Sequence, residues 1–129
     1  MKAPKQRPKY YDLNLLHLPA PGLVSILHRI SGVALFLTAI PLALAALGDT
    51  LASEASWRAW REALAHPVAK LALIGLVWFY AHHFLAGIRY LLLDVHVGVA
   101  KHPAQSSARV VLVLGPLIAL AFAFAWRIW

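Results

Sequence analysis

The chain has 129 residues, of which 61% are hydrophobic and 13% are charged, a composition too apolar for a soluble domain and typical of a single small membrane protein. The absence of cysteine excludes disulfides, thiolate-ligated iron–sulfur clusters and haem attached through a C-x-x-C-H motif. The formal net charge is +7, but the basic residues flank apolar segments, so anionic lipid explains them better than nucleic acid does.

The first 20 residues are basic and rich in proline, and they lack the apolar core of a signal peptide. We therefore expect them to remain on the chain and to lie at the membrane surface or beneath a soluble partner. Because the sequence starts without a transit peptide, we expect a multi-pass protein of the bacterial inner membrane.

The first predicted span covers about residues 23–47. One helix face of it carries four polar or small residues at positions i, i+3, i+4 and i+7: Ser25, His28, Arg29 and Gly32. Charge this close to the apolar core must face protein, cofactor or water. The guanidinium of Arg29 suits a carboxylate or an ordered polar ring, although its head can also extend to the membrane surface.

Residues 48–66 predict a short amphipathic helix at the membrane interface. Trp57, Trp60 and Leu64 recur at positions i, i+3 and i+7, and tryptophan favours the level of the lipid headgroups. This segment suggests no chemistry.

The second predicted span, about residues 68–95, carries the adjacent histidines His82 and His83 in its middle. Neighbouring helical residues are rotated by about 100°, so the two imidazoles face different directions. Two stripes follow from this spacing: His83 with Gly87, Tyr90 and Asp94, and His82 with Ala86 and Arg89.

The His83 stripe predicts a place for a flat ligand. Gly87 leaves space one turn after the imidazole, and a haem could lie there with its iron bound to His83. The alternative is that the histidine bonds a neighbouring helix and that Gly87 only allows close helix packing.

A link of about residues 96–106 leads to the third predicted span, about residues 107–128. Pro116 is expected to kink this helix, and Trp126 and Trp129 are expected to mark its far interface. Because it has no ionisable residue away from its ends, the span predicts a packing helix.

The distribution of lysine and arginine predicts a cytoplasmic N-terminus. Ser25, His28 and Arg29 then lie at about the same depth as Tyr90, and His83 lies about 10 Å deeper, from the helical rise. Cations near the cytoplasm and an imidazole nearer the membrane centre fit an upright haem with its propionates towards the cytoplasm.

Two sequence runs together resemble the cytochrome b556 membrane-anchor subunits of succinate dehydrogenase. One is Ser25-Ile-Leu-His-Arg-Ile-Ser-Gly32, and the other is Ala81-His-His-Phe-Leu-Ala-Gly-Ile-Arg89 followed by Asp94. The three-span layout also matches, and the resemblance covers about residues 7–128.

The resemblance implies a membrane anchor that is not catalytic by itself. Such a subunit, with a sister anchor subunit, fixes a flavoprotein and an iron–sulfur protein to the bilayer, shares one b haem and helps form a site for ubiquinone or menaquinone. It implies His83 as the axial iron ligand, with the second ligand from the sister subunit. It also implies Ser25 and Arg29 at the quinone.

The same resemblance places His28 and Arg29 at the haem propionates. The family often has a further histidine where this chain has Tyr90, which can donate a hydrogen bond but adds no charge. The role of His82 stays open.

Two other functions remain open from the sequence. A proton or solute pathway could use four ionisable side chains of the second span: His82, His83, Arg89 and Asp94. A structural anchor without a cofactor would use Gly32 and Gly87 for helix packing alone.

Overall fold

The fold is built from long helices. The computed structural model describes residues 18–126, so the predicted N-terminal surface segment lies almost wholly outside the described residues. The helical elements are α1 (Ala20–Ala34), a π-helical turn (Leu35–Ala39), α2 (Ile40–Ala52), α3 (Glu54–Ala65), α4 (Pro67–Asp94) and α5 (Lys101–Trp126).

Three helical stretches within residues 18–126 are long and apolar enough to cross a membrane: Ala20–Ala52, Pro67–Asp94 and Lys101–Ala125. The described part of the chain contains no strand. The predicted class, an all-α membrane protein with three spans and a short helix between the first two, is confirmed.

The first span is a continuous helix with a widened turn near its middle. Ile40 donates its backbone N–H to the carbonyl of Leu35, five residues back, instead of the usual four. Pro41 follows directly; it has no N–H, and its ring clashes with the carbonyl four residues earlier in a regular α-helix. The π turn accommodates this proline without ending the helix.

Side-chain caps set the two boundaries around α3. The extended backbone of Ser53 ends α2, and its hydroxyl accepts from the N–H of Ser56 at 3.1 Å. His66 ends α3 in the same way, and its Nδ1 accepts from the N–H of Val68 at 3.3 Å. Pro67 then occupies the first turn of α4, where no helical N–H partner is lost.

A tight link joins α4 to α5. His96 and Gly98 both have left-handed backbone conformations, with φ of 63° and 77°, which glycine adopts without a steric penalty. Helix α5 begins at Lys101, earlier than the predicted span start at residue 107. Pro103 does not prevent this, because the N–H groups of a first helical turn have no intrahelical acceptor.

Helix α4 contacts both α1 and α5, and α1 and α5 also contact each other. The buried core at this crossing consists of small or branched residues: Val24, Ala86, Ala108 and Val111. Small side chains let helix backbones approach closely, which is how membrane helices gain packing energy without a hydrophobic effect.

Large apolar side chains lie mainly on the outside of the three spans. Phe36, Leu44 and Leu71 are each more than 60% exposed within this chain. In a membrane these faces contact lipid or other membrane subunits, because no aqueous phase lies beside them.

We predict that Ala108→Leu destabilises the fold. Ala108 is fully buried between the helices, so the added carbons overpack the core at a cost of about 1–3 kcal/mol. Ala121→Leu is the matched control, since Ala121 is an exposed position of the same helix. Thermal unfolding of the purified protein in detergent measures both, and equal midpoints would contradict the packing described here.

Candidate functional site

The two histidines of α4 face different directions, as their spacing predicts. His83, Gly87 and Tyr90 lie towards α1, where the rings of His83 and Tyr90 contact His28. His82, by contrast, is buried, with an exposure of 1%, and contacts Gly115 of α5.

Hydrogen bonds hold the imidazole of His83 against α1. Its Nδ1 lies 3.0 Å from the backbone carbonyl of His28 and 3.3 Å from the hydroxyl of Ser31. The Ser31 hydroxyl donates to the same carbonyl at 3.0 Å. A carbonyl can only accept, so the hydrogen of His83 is on Nδ1, and Nε2 keeps its lone pair.

An aromatic stack extends this contact. The rings of His28 and His83 are stacked, with centroids 4.1 Å apart and planes inclined by 14°. The Tyr90 ring lies 5.3 Å from that of His28. A side-chain carbon at Gly87 would lie 3.9 Å from His28 Nε2, so the space beside Gly87 borders the ring of His28.

Gly32 makes the close approach of α1 and α4 possible. A side-chain carbon at this position would lie 2.9 Å from Cε1 and 3.3 Å from Nδ1 of His83. Any residue larger than glycine would therefore push the imidazole away from the His28 carbonyl. Gly32, which lies seven residues after Ser25, therefore allows His83 to contact α1.

Ser25 and Arg29 lie together on α1 but do not contact the imidazoles. Arg29 Nε donates to the Ser25 carbonyl at 3.3 Å, and the Arg29 side chain is exposed on this chain. Ser25 is half-buried. The two residues therefore present a hydroxyl and a guanidinium at one end of the span, next to the turn that carries His28.

Arg89 belongs to the α4–α5 contact. Its side chain is 6% exposed, with Nε donating to the Ser107 hydroxyl and Nη2 to the Ala104 carbonyl, both at 3.0 Å. Its guanidinium carbon also lies 5.5 Å from the centre of the Tyr90 ring. Arg89 thus joins α5 to the helix that carries His83.

The ionisable residues of α4 do not form a connected relay in the described part of the chain. His82 and His83 face different directions, Arg89 bonds α5, and Asp94 is exposed. No hydrogen bond among residues 18–126 joins any two of these four side chains.

Ser31 is a site residue that the sequence reasoning missed. It is 1% exposed and bonds both His28 and His83. Its signal was a hydroxyl inside an apolar span, one turn after His28.

The sequence that forms these helices matches a known family of membrane proteins. The family model for the succinate dehydrogenase/fumarate reductase transmembrane subunit matches residues 3–124. The chain belongs to this family.

A curated relative supports the same assignment. The succinate dehydrogenase cytochrome b556 subunit of Coxiella burnetii (strain RSA 493 / Nine Mile phase I) is 35% identical over 125 residues, covering 96% of this chain and 98% of the relative. The predicted family resemblance is therefore confirmed. This chain is a multi-pass membrane anchor of the succinate dehydrogenase/fumarate reductase type.

We predict that Ser107→Ala weakens the α4–α5 contact of this transmembrane subunit. The substitution removes an acceptor from the buried Arg89 guanidinium, at a cost of about 1–2 kcal/mol for a bond to a charged group. Ser106→Ala is the control, because the Ser106 hydroxyl has no hydrogen bond to residues 18–126. The measurement is the thermal midpoint in detergent. An unchanged midpoint for Ser107→Ala would argue against the Arg89 contact.

Proposed function

We propose that this subunit shares one b haem with a second anchor subunit and helps form the quinone-reduction site of a succinate:quinone oxidoreductase. One observation carries the proposal. His83 has its Nδ1 hydrogen-bonded to the His28 carbonyl, which leaves the lone pair of Nε2 available for an iron ion in the middle of a membrane span. A metal-ligating histidine usually has its other nitrogen hydrogen-bonded in this way.

The surrounding residues fit a haem. The hydroxyl of Tyr90 is buried and has no hydrogen-bond partner in the described part of the chain, so a propionate oxygen is a suitable acceptor. His28 lies between Tyr90 and His83 and offers a second donor to the same group. Gly87 leaves room for a flat ring beside these side chains.

A bound b haem would take up and release single electrons beside the quinone. The residues of this chain hold and orient it: His83 at the iron, and His28, Arg29 and Tyr90 at the propionates. Ser31 and Gly32 keep the His83 imidazole in place, the first by a hydrogen bond and the second by having no side chain. A second iron ligand would come from the sister subunit.

Ser25 and Arg29 are proposed to bind ubiquinone or menaquinone. Reduction to the quinol adds two electrons and two protons at the carbonyl oxygens. The Ser25 hydroxyl would donate a hydrogen bond to one carbonyl, and the Arg29 guanidinium would offset negative charge there. The exposure of Arg29 within this chain leaves its remaining N–H groups open to such a substrate or to the sister subunit.

The relative's name supports the cofactor, since it is a cytochrome b556 subunit of succinate dehydrogenase. By this analogy the chain anchors an iron–sulfur subunit and a flavoprotein subunit to the lipid bilayer. We place its N-terminus on the cytoplasmic side of a bacterial inner membrane, from the positions of its lysine and arginine residues.

We predict that His83→Ala abolishes the haem spectrum and that His82→Ala retains most of it. The reason is that His83 has its Nδ1 bonded to α1 and its Nε2 available, whereas His82 is fully enclosed among the helices. The measurement is a reduced-minus-oxidised absorption spectrum of the complex assembled with its partner subunits. A b-type band that survives in His83→Ala would move the ligand elsewhere, and a wild-type complex without the band would indicate a cofactor-free anchor.

We predict that Ser25→Ala and Arg29→Leu slow quinone reduction by about tenfold or more. Each removes a donor at the reacting carbonyl, which costs about 1–3 kcal/mol in the transition state. Electron transfer from succinate to an artificial acceptor upstream of the quinone should be unchanged, and it serves as the control for assembly. Ser25→Ala should also leave the haem spectrum intact. Normal quinone turnover in both assembled variants would place the quinone away from α1.

A further inference from the structure

A cleft of about 370 Å³ lies between α4 and α5, at the end where the link joins the two helices. Its walls are almost entirely aliphatic, and their main residues are Leu85, Ile88, Leu92, Val97, Pro103 and Val110. Three of these, Ile88, Leu92 and Val110, are between 42% and 53% exposed, so the cleft opens to the outside of this chain. In a membrane its occupant comes from the lipid or from another membrane subunit.

The cleft lies on the side of α4 that faces away from His83. Leu85, Ile88 and Leu92 follow His83 by two, five and nine residues, which rotates them from it by about 200°, 140° and 180°. The proposed haem, and the sister subunit that would share it, are on the His83 side. The cleft therefore has a different occupant from the site described above.

The position and size of the cleft favour a lipid chain over a helix. Helix α4 has 28 residues and is about 42 Å long, so its last turns reach the headgroups beyond a hydrocarbon core of about 30 Å. From the level of Asp94 to that of Leu85, the cleft extends about 14 Å towards the membrane centre. A helix about 10 Å wide would occupy about 1,100 Å³ over that length, which is far more than the volume of the cleft.

The charges at the headgroup end of the cleft favour an anionic lipid. Lys101 is exposed and begins α5, two residues before Pro103 of the cleft wall. Arg89 also lines the cleft, and its buried charge is bonded only to neutral acceptors among residues 18–126. Asp94, an acid at this level, is rotated by only about 20° from His83 and so lies on the other side of α4. The mouth of the cleft is therefore positively charged.

We propose that this cleft binds one anionic phospholipid. One acyl chain lies along the aliphatic walls, and the phosphate lies at the headgroup level beside Lys101. The guanidinium of Arg89 faces α5 and adds to the positive field there without contacting the headgroup. Basic positions between transmembrane helices at the membrane surface attract anionic lipid in this way. No residue of the cleft is a proposed ligand of haem or quinone, so the lipid site stands independently of both.

The test is native mass spectrometry of the assembled complex, washed in detergent and then given phosphatidylglycerol or phosphatidylethanolamine with the same acyl chains. We expect one phosphatidylglycerol to remain bound to the wild type and to be lost from Val110→Trp, whose indole fills the cleft. Val113→Trp is the matched control, because Val113 is 57% exposed on the same helix but does not line the cleft. Equal retention in the two variants overturns the site, and equal retention of the two lipids by the wild type overturns its preference for an anion.

A second pair of variants and a map test the position of the lipid. Lys101→Gln should weaken phosphatidylglycerol binding about fivefold, the effect of one basic residue at the membrane surface. Lys70→Gln, at the other end of α4, should not change it, and equal binding in these two variants contradicts the contact with Lys101. A cryo-EM map of the wild-type complex in nanodiscs that contain phosphatidylglycerol should show chain density beside Ile88 and Leu92. An empty cleft, a quinone tail or a side chain of another subunit there overturns the proposal even if Val110→Trp fails to assemble.

Discussion

The hydrogen bond between His83 Nδ1 and the His28 carbonyl is the interaction on which the arrangement of α1 and α4 depends. It forms only because Gly32 has no side chain, which allows the ring of His83 to lie against the backbone of α1. The same bond selects the tautomer and leaves Nε2 available. Helix packing, side-chain orientation and ligand chemistry at this site therefore have one cause, which is the short distance between two helices at a single glycine.

The rotation of about 100° between neighbouring residues divides α4 into two polar faces. The face of His83 is half-buried within this chain and borders Tyr90, whose hydroxyl lacks a partner in the described residues. The face of Arg89 is closed by α5, and its charge is met by the Ser107 hydroxyl and the Ala104 carbonyl. A buried guanidinium can be stable with neutral acceptors alone, because a charged donor forms strong hydrogen bonds. Helix α5 also keeps lipid away from this charge.

Much of this could be predicted from the sequence, because helical periodicity and span length are local properties. These two properties were sufficient to predict the three spans, the amphipathic helix α3 and the different directions of His82 and His83. The π turn was missed because it arises from the clash of Pro41 with a carbonyl in the preceding turn. The stack of His28 on His83, and the part played by Ser31, were also missed. Both depend on the distance between α1 and α4, and this distance cannot be predicted from the spacing of residues within one helix.

The buried polar side chains of α4 lie in two different surroundings. The ring of Tyr90 borders His28, whereas its hydroxyl is buried within this chain. His82 and Trp78 pack closely against Gly115 of α5, where an added side-chain carbon would already be in van der Waals contact with both. The same apolar helix thus directs polar side chains towards both α1 and α5. Because lipid cannot satisfy polar atoms, these side chains depend on the neighbouring helices for their partners, and the close approach of α1 and α5 to α4 is what makes those partners available.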